Sequence, residues 1–271
     1  MSNSVSIANP VMDRMRSGEP ALGMLVRMGR AGELVRVAKT SGHDFIFIDT
    51  QHSLFNPETI GDMAHAALGC GIAAMVRVRS VSDPNVSLYL DNGVTGIIFP
   101  DVNSAADAQK GVDAAKFAPI GKRSVCGAYP QFDYRAVPSS QAIPALNDAA
   151  VVVCMIETPE GLANVERIAA VPGVDVIHIG SSDLMFNMGK AGKFDDPEII
   201  AAQERVIAAA KAHGKFAGMG GNRDPERQAQ AVRKGCLYVT TQADIGFLSA
   251  AATQWTKSVR AALQQAVASK R

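Results

Sequence analysis

The chain has 271 residues, of which 47% are hydrophobic and 20% are charged, so it can bury the core of one barrel-sized domain. Its 27 basic and 26 acidic residues nearly balance, which excludes a strong field for nucleic acid or an anionic membrane and favours a small-molecule partner. Met1 to Pro10 resembles no targeting segment, and no apolar run approaches the roughly 18 residues that span a bilayer, so we expect a soluble, cytoplasmic protein.

Eight short apolar runs alternate with helical stretches, which is typical of repeated β-α units around a parallel sheet. The predicted strands are Ala21 to Val26, Phe45 to Ile48, Ala73 to Val76, Gly96 to Phe99, Val151 to Ile156, Val174 to Ile179, Phe216 to Met219 and Leu237 to Thr240. Eight strands favour closure, so we predict a single α/β domain, a (β/α)8 TIM barrel over residues 1–271. An open doubly wound sheet is the alternative, but no G-x-G-x-x-G follows the first strand.

Two later segments stand apart from this alternation. Ala118 to Ala150 separates a helix ending near Phe117 from the strand at Val151, and connections this long are usually functional or disordered. Ile245 to Ala268 is predicted to be an apolar-faced helix that closes the barrel or is exchanged with, or packed on, a neighbouring subunit.

Polar residues follow four of the predicted strands. The second strand leads into Asp49-Thr50-Gln51-His52, the third ends in Arg77, the fifth in Glu157, and the sixth leads into Gly180-Ser181-Ser182-Asp183. Because catalytic residues of such barrels come from the carboxyl ends of strands, these groups predict an active site on one rim.

Glu157 and Asp183 follow neighbouring strands and can converge on one divalent cation. An oxygen-rich site completed by water and substrate suits Mg2+, Mn2+ or Co2+. The alternative is that each acid caps the helix that follows it, since acidic residues favour helix N-termini.

The turn at Gly180, Ser181 and Ser182 can hold a substrate carboxylate on backbone N–H groups, although an ordinary tight turn is also possible. Arg77 needs an anion or a developing oxyanion to offset its burial, and we assign it to the substrate keto oxygen. A salt bridge to Asp49 is its alternative, and the two roles are compatible.

His52 lies three residues after Asp49. A histidine that titrates near neutrality and is oriented by a carboxylate can act as a general base, directly or through water. A lone histidine is more often a structural residue, but this spacing favours catalysis. The other four histidines lie before strands, inside helices or within a strand, where structural roles are expected.

Several segments together resemble one family. They are Phe45 to Ser53 (FIFIDTQHS), Val76-Arg77, Leu90-Asp91 with Gly93, Gly121 to Arg123, Ile156-Glu157-Thr158 and Ile179 to Leu184 (IGSSDL). Their order and spacing are similar to those of the metal-dependent class II pyruvate aldolases of the HpcH/HpaI group, which includes 4-hydroxy-2-oxoheptanedioate and 2-dehydro-3-deoxyglucarate aldolases. The resemblance runs from about Met12 to Leu263.

The resemblance implies reversible cleavage of a 4-hydroxy-2-oxo acid into an aldehyde and pyruvate, or a pyruvate-like 2-oxo acid. It also implies that Glu157 and Asp183 bind the metal and that Arg77 faces the keto oxygen. The amides around Ser182 and Asp183 would hold the carboxylate, and His52, with Asp49 and Asp91, would move the proton of the C4 hydroxyl.

The same resemblance implies a homohexamer, a trimer of dimers, in which a neighbouring subunit completes each site. Asp91 and the loop that carries Arg123 are the candidates for that contribution.

The sequence departs from the family pattern at three places. Gln51 stands where an acid is frequent, Met155 where a glutamine usually precedes Ile-Glu, and Ser181-Ser182 where Pro-Ala is usual. Met155 removes a polar group next to the metal ligands, which affects metal preference or substrate range.

The sequence is also compatible with other functions. A Schiff-base aldolase needs a lysine in the barrel mouth, and no lysine ends a predicted strand. An acyl-CoA thioester lyase needs a basic and apolar groove, and no such cluster is visible. An oxaloacetate-type decarboxylase would use the same residues, and a non-enzymatic protein that binds metal or a 2-oxo acid would show no turnover.

Overall fold

Eight parallel strands pair in chain order and close into a barrel in the computed structural model, which describes residues 5–268. The strands are β1 (Ala21–Val26), β2 (Phe45–Asp49), β3 (Ala73–Arg77), β4 (Gly96–Phe99), β5 (Val151–Ile156), β6 (Val176–Gly180), β7 (Phe216–Gly220) and β8 (Cys236–Ala243). β1 pairs with both β2 and β8, so the predicted closed barrel is confirmed. The predicted domain also included residues 1–4 and 269–271, which lie outside the described residues.

Helices connect successive strands along the outside of the barrel. Within residues 5–268 they are α1 (Pro10–Arg16), α2 (Gly32–Thr40), α3 (Pro57–Cys70), α4 (Val86–Asp91), α5 (Ala105–Ala115), α6 (Ser139–Ala149), α7 (Pro159–Ala163), α8 (Val165–Ala169), α9 (Ser181–Asn187), α10 (Pro197–Ala212), α11 (Pro225–Lys234) and α12 (Asp244–Ala268). A short 3-10 helix covers Pro130–Phe132. None of the described helices is both long and apolar enough to cross a bilayer.

Local sequence explains where these elements begin and end. In α3 the side chain of Asn56 accepts the amide of Thr59 at 2.7 Å, proline occupies the first helical position, and the chain leaves the helix at Gly71 with φ of 68°. All five residues of β2 are buried, because helices cover one face of the strand and the barrel interior covers the other.

The core has two layers. One lies between the strands and the surrounding helices, and the other fills the barrel with side chains such as Phe45, Met75 and Tyr238. Val11 and Met15 of α1 belong to the inner layer and close the barrel at the amino ends of its strands. The carboxyl ends remain open.

The long connection before β5 is only partly a loop. Its second half forms α6, a helix that the sequence analysis did not predict. Ala142, Ala145 and Leu146 supply the apolar spacing of a helix and pack with Phe117 and Tyr129. The polar start of α6 and Pro144 within it obscured this pattern in the sequence.

The predicted C-terminal helix is confirmed as α12. Its first residue, Asp244, is buried and accepts the amides of Arg27, Met28 and Gly29 at 2.7–3.1 Å. Beyond this anchor the helix leaves large apolar side chains exposed, among them Trp255 (74%) and Leu263 (60%). These side chains are not covered by the rest of the described chain.

Candidate active site

A cavity of about 160 Å3 opens at the carboxyl ends of the strands. It is lined by Leu25, Arg27, Phe47, His52, Arg77, Met155, Glu157, His178, Gly180, Ser182, Asp183, Gly220, Gly221, Arg223 and Thr240. Six residues predicted from the sequence are therefore brought together: His52, Arg77, Glu157, Gly180, Ser182 and Asp183. A cavity of this volume suits a small ligand.

Arg77 and Asp49 form a buried ion pair because β2 and β3 place them side by side in register. The guanidinium Nε donates to Asp49 Oδ1 at 3.0 Å and Nη2 donates to Oδ2 at 2.8 Å, while Asp49 is fully buried. Burial by itself would raise the pKa of Asp49, but the hydrogen bonds and charge of Arg77 outweigh it and lower that pKa. The salt bridge to Asp49 that was predicted as an alternative role of Arg77 is thus confirmed. The guanidinium of Arg77 also lines the cavity.

Asp49 also holds the turn that carries His52. Its Oδ1 accepts the backbone amides of Gln51 and His52, each at 3.2 Å. The sequence-based hypothesis that Asp49 orients the imidazole is not what the structure shows, because the carboxylate contacts the backbone of His52. The imidazole itself lines the cavity, and its role as a base stays a prediction.

Glu157 lies at the end of β5 with 2% of its surface exposed. Its Oε1 accepts the amide of Asp101 at 3.1 Å. Burial raises the pKa of Glu157 to about 7, and the negative charges of Asp101 and Asp183 add to the increase. Asp183 is therefore near enough to act on this carboxylate.

The capping alternative for Glu157 is wrong. Thr158 is the N-cap of α7, and its hydroxyl accepts the amide of Gly161 at 3.0 Å. Asp183 lies within the first turn of α9 and not at the capping position, which Gly180 occupies. Both carboxylates are thus available to the cavity.

The chemistry of this pair fits a hard divalent cation. Glu157 resists ionisation because it is buried and lies near the carboxylate of Asp183. A nearby cation would stabilise its charged form. No group of three or more His, Cys, Asp or Glu side chains suited to a metal occurs within residues 5–268. Two protein ligands with the remaining positions left to water and substrate are typical of Mg2+ sites.

Two glycines make room for these groups. A Cβ atom on Gly180 would lie 2.5 Å from Cγ of Glu157, and one on Gly221 would lie 2.9 Å from the backbone N of Ser182. Gly221 also has φ of 83°, which side chains rarely permit. The start of α9 therefore faces open space, as a carboxylate-binding turn requires. Ser181 is buried and does not line this space.

Gly180→Ala tests the close approach to Glu157. The added Cβ must displace a carboxylate that the Asp101 amide holds, so we expect kcat/KM for 2-oxo acid release to fall by about 10- to 100-fold. Gly69→Ala in α3 is the matched control, because nothing lies within 4 Å of its new Cβ and activity should be unchanged. Equal activity of the two variants would show that Glu157 tolerates displacement.

Four polar cavity residues were not assigned to the site from the sequence: Arg27, His178, Arg223 and Thr240. Arg27 and Arg223 follow β1 and β7, but a charged residue in a loop is usually solvated, so position alone was a weak signal. Arg27 Nε lies 3.4 Å from Asp49 Oδ2, and Arg223 Nη1 donates to Oε1 of Gln242 at 2.6 Å. His178 was interpreted as structural, yet it faces the cavity.

Asp91 and Arg123 are not part of this cavity in a single chain. Asp91 ends α4, which returns towards the amino ends of the strands, and it accepts from Arg123 Nη2 at 2.6 Å. Arg123 also lies over the ring of Phe117 at 4.4 Å. A catalytic role for Asp91 therefore requires a neighbouring subunit and stays a prediction.

The cavity lining contains three arginines and, within residues 5–268, no lysine. A buried lysine, Lys116, lies near the amino ends of β5 and β6, where its Nζ donates to the carbonyl of Asn147 at 2.7 Å and pairs with Asp175 at 3.2 Å. The part of the chain that the structure describes therefore places no lysine at the mouth of the barrel, where a Schiff-base site would need one.

The chain is similar to known proteins over most of its length. Residues 24–248 match the model of the family described as HpcH/HpaI aldolase/citrate lyase. The chain is 37% identical over 219 residues to 4-hydroxy-4-methyl-2-oxoglutarate aldolase of Hapsidospora irregularis, covering 80% of this chain and 81% of that protein. It is 33% identical over 260 residues to hydroxypyruvate/pyruvate aldolase of Rhizorhabdus wittichii, covering 93% and 99%.

A solved structure supports the same relationship. The HpcH/HpaI aldolase from Desulfitobacterium hafniense superposes with a TM-score of 0.88 at 25% identity, over 93% of this chain and 97% of that one. The family match spans most of the barrel, including both acidic residues of the cavity and Arg77. This chain belongs to the HpcH/HpaI aldolase/citrate lyase family.

Proposed function

We propose that the protein is a divalent-metal-dependent aldolase that reversibly cleaves a 4-hydroxy-2-oxo acid into an aldehyde and pyruvate, or a pyruvate-like 2-oxo acid. The observation that carries the proposal is the convergence of Glu157, Asp183, Arg77 and His52 on one cavity. Several relatives are named as aldolases of a 2-oxo acid, and these names support the proposal.

In this proposal Glu157 and Asp183 hold Mg2+, Mn2+ or Co2+. When bound, the cation supplies a Lewis acid for the 2-oxo group. The guanidinium of Arg77, fixed by two hydrogen bonds to Asp49, donates to the oxygen on which negative charge develops during cleavage. A guanidinium that is already fixed loses little conformational freedom when the charge appears.

The other residues orient the substrate and move its proton. The first amides of α9, next to the space left by Gly221, bind the carboxylate of the 2-oxo acid. His52 takes the proton of the C4 hydroxyl as the C3–C4 bond breaks, the electrons of that bond form an enolate, and the aldehyde leaves. Protonation of the enolate at C3 then gives the 2-oxo acid. In the reverse direction His52 returns that proton to the new hydroxyl.

We further propose that the protein works as a homo-oligomer, a hexamer built as a trimer of dimers. The exposed apolar side chains of α12 support this assembly, because an apolar face of this length is stabilised when another subunit covers it. Asp91 and the loop carrying Arg123 would then contribute to the site of a neighbouring subunit.

The test is release of a 2-oxo acid from a panel of 4-hydroxy-2-oxo acids. A coupled dehydrogenase measures the released acid. We expect activity with at least one of Mg2+, Mn2+ and Co2+, loss of activity in chelator, and no effect of borohydride. Activity that persists in chelator and stops after borohydride would transfer the mechanism to a lysine. Oxaloacetate in the same assay measures the decarboxylase alternative, and binding without turnover would indicate a binding protein.

A further inference from the structure

The turn that follows β4 contains a residue in a rare backbone conformation. Asp101 has φ of 51°, in the left-handed region that side chains other than those of asparagine and aspartate seldom adopt. Among residues 5–268, the other non-glycine residues with positive φ are Asp133 and Tyr134. Such conformations persist where surrounding contacts require them, and they cluster at ligand sites.

Strand pairing explains why the chain turns at this point. β4 pairs with β5 as far as Phe99. Pro100 has no N–H to continue the pairing, and Val102 then donates to the carbonyl of Met155 at 3.2 Å. Phe99 and Val102 are both buried, so the chain is fixed on either side of the turn. The left-handed conformation of Asp101 lies between these two fixed points.

This conformation directs the amide of Asp101 at a carboxylate that we assign to the cation. The amide donates to Glu157 Oε1 at 3.1 Å. The other oxygen, Oε2, faces the neighbouring strand β6, since a Cβ on Gly180 would lie 2.7 Å from it. Asp183 follows that strand in the first turn of α9. The amide therefore holds one oxygen of Glu157 and leaves the other on the side of Asp183, where a cation can bind both carboxylates.

The side chain of Asp101 contributes little to this contact. It is exposed and does not line the cavity. Its Oδ2 accepts from Gln51 Nε2 at 3.5 Å, which is long for a hydrogen bond. An aspartate suits this position because, like asparagine and glycine, it tolerates the left-handed conformation. The backbone of residue 101, and not its carboxylate, therefore acts on Glu157.

We propose that Asp101 is a positioning residue whose left-handed backbone conformation holds Glu157 in the orientation that binds the cation. This inference rests on the proposed function, since it takes Glu157 as a cation ligand. Cation affinity should then depend on whether residue 101 can adopt the left-handed conformation, and not on its charge. Where a variant gives up this conformation in the metal-free protein, cation binding has to restore it, and the affinity falls by that cost.

Variants of Asp101 test the proposal by calorimetric titration with Mg2+ in the absence of substrate. Asp101→Asn and Asp101→Gly remove the charge but permit the left-handed conformation, so their Kd should stay within about threefold of wild type. Asp101→Ala disfavours that conformation and should raise the Kd by about 5- to 30-fold. Asp101→Val adds a β-branched side chain and should raise it further. If Asp101→Val does not fold, Asp101→Ala decides the question.

Asp133 provides the matched control. It is also an exposed aspartate, with φ of 52°, and it follows the short 3-10 helix outside the cavity. Its amide donates to the carbonyl of Pro130 at 2.9 Å and not to a side chain of the site. Asp133→Ala should lose thermal stability much as Asp101→Ala does, while its Kd for Mg2+ stays at the wild-type value. This control separates backbone strain in general from strain that reaches Glu157.

The inference is overturned if Asp101→Ala binds Mg2+ as tightly as wild type. It is also overturned if Asp101→Asn weakens binding as much as Asp101→Ala, as expected for a role of the charge. If the wild type still releases a 2-oxo acid with Mg2+, either result leaves the proposed function intact and removes only this inference. A wild type that binds no divalent cation, or whose Kd is unchanged by Glu157→Gln, would refute the assigned cation ligand and with it both proposals.

Discussion

Glu157→Gln is expected to lower kcat/KM for 2-oxo acid release by more than about 1000-fold, because it removes one of two protein carboxylates assigned to the cation. The amide keeps the shape of the side chain and can still accept from the Asp101 amide. Assays with Mg2+, Mn2+ and Co2+ measure the loss. Glu160→Gln, at an exposed position of α7, should retain wild-type activity.

The same variant should change how stability depends on pH in chelator. The pKa of Glu157 is raised from 4.5 to about 7 in the folded protein, so the folded state binds more protons than the unfolded state between these values. Stability of the metal-free protein should therefore fall as pH rises from about 4.5 to 7, by an amount on the order of 3 kcal/mol, and then level off.

Thermal unfolding at pH 5 and pH 8 measures this slope. Glu157→Gln should reduce it, and a divalent cation at pH 8 should restore stability to the wild type but not to the variant. Identical pH dependence of the two proteins would show that Glu157 ionises normally and would weaken its assignment as a metal ligand.

Asp49→Asn is expected to destabilise the protein by about 3–5 kcal/mol and to lower kcat/KM by about 100-fold or more. The change leaves the buried guanidinium of Arg77 without its charged partner, and it weakens the contacts that hold the turn of His52. Denaturant unfolding measures the stability, and pyruvate release measures the activity.

An exposed ion pair of the same kind provides the control. Arg16 Nη2 and Asp148 Oδ1 are also 2.8 Å apart, but 49% and 67% of these side chains are exposed. Asp148→Asn should cost less than about 1 kcal/mol, because water already solvates both charges. If Asp49→Asn were no more destabilising than this control, the Arg77 pair would be unimportant for the fold.

Much of the barrel was predictable because its signals are local. Short apolar runs, each buried on both sides, alternate with helices, and every predicted strand is present with ends shifted by at most three residues. Two of the shifts occur where a polar residue, Asp49 or Arg77, continues the strand pairing, since hydrophobicity does not report hydrogen bonds between strands. α6 was not predicted because its apolar stripe is short and polar residues occupy both ends of the helix.

By itself the sequence determined that His52, Arg77, Glu157 and Asp183 meet at the mouth, although it did not identify Arg27 and Arg223. In a closed parallel barrel all strands end on one rim, so a polar residue at a strand end must lie there. Only the tertiary structure decided which strand side chains face the cavity and how burial shifts the pKa of Glu157. Strands buried on both faces carry apolar residues throughout, so the inward position of His178 and Thr240 depends on register. The raised pKa of Glu157 likewise depends on burial by residues far away in the chain.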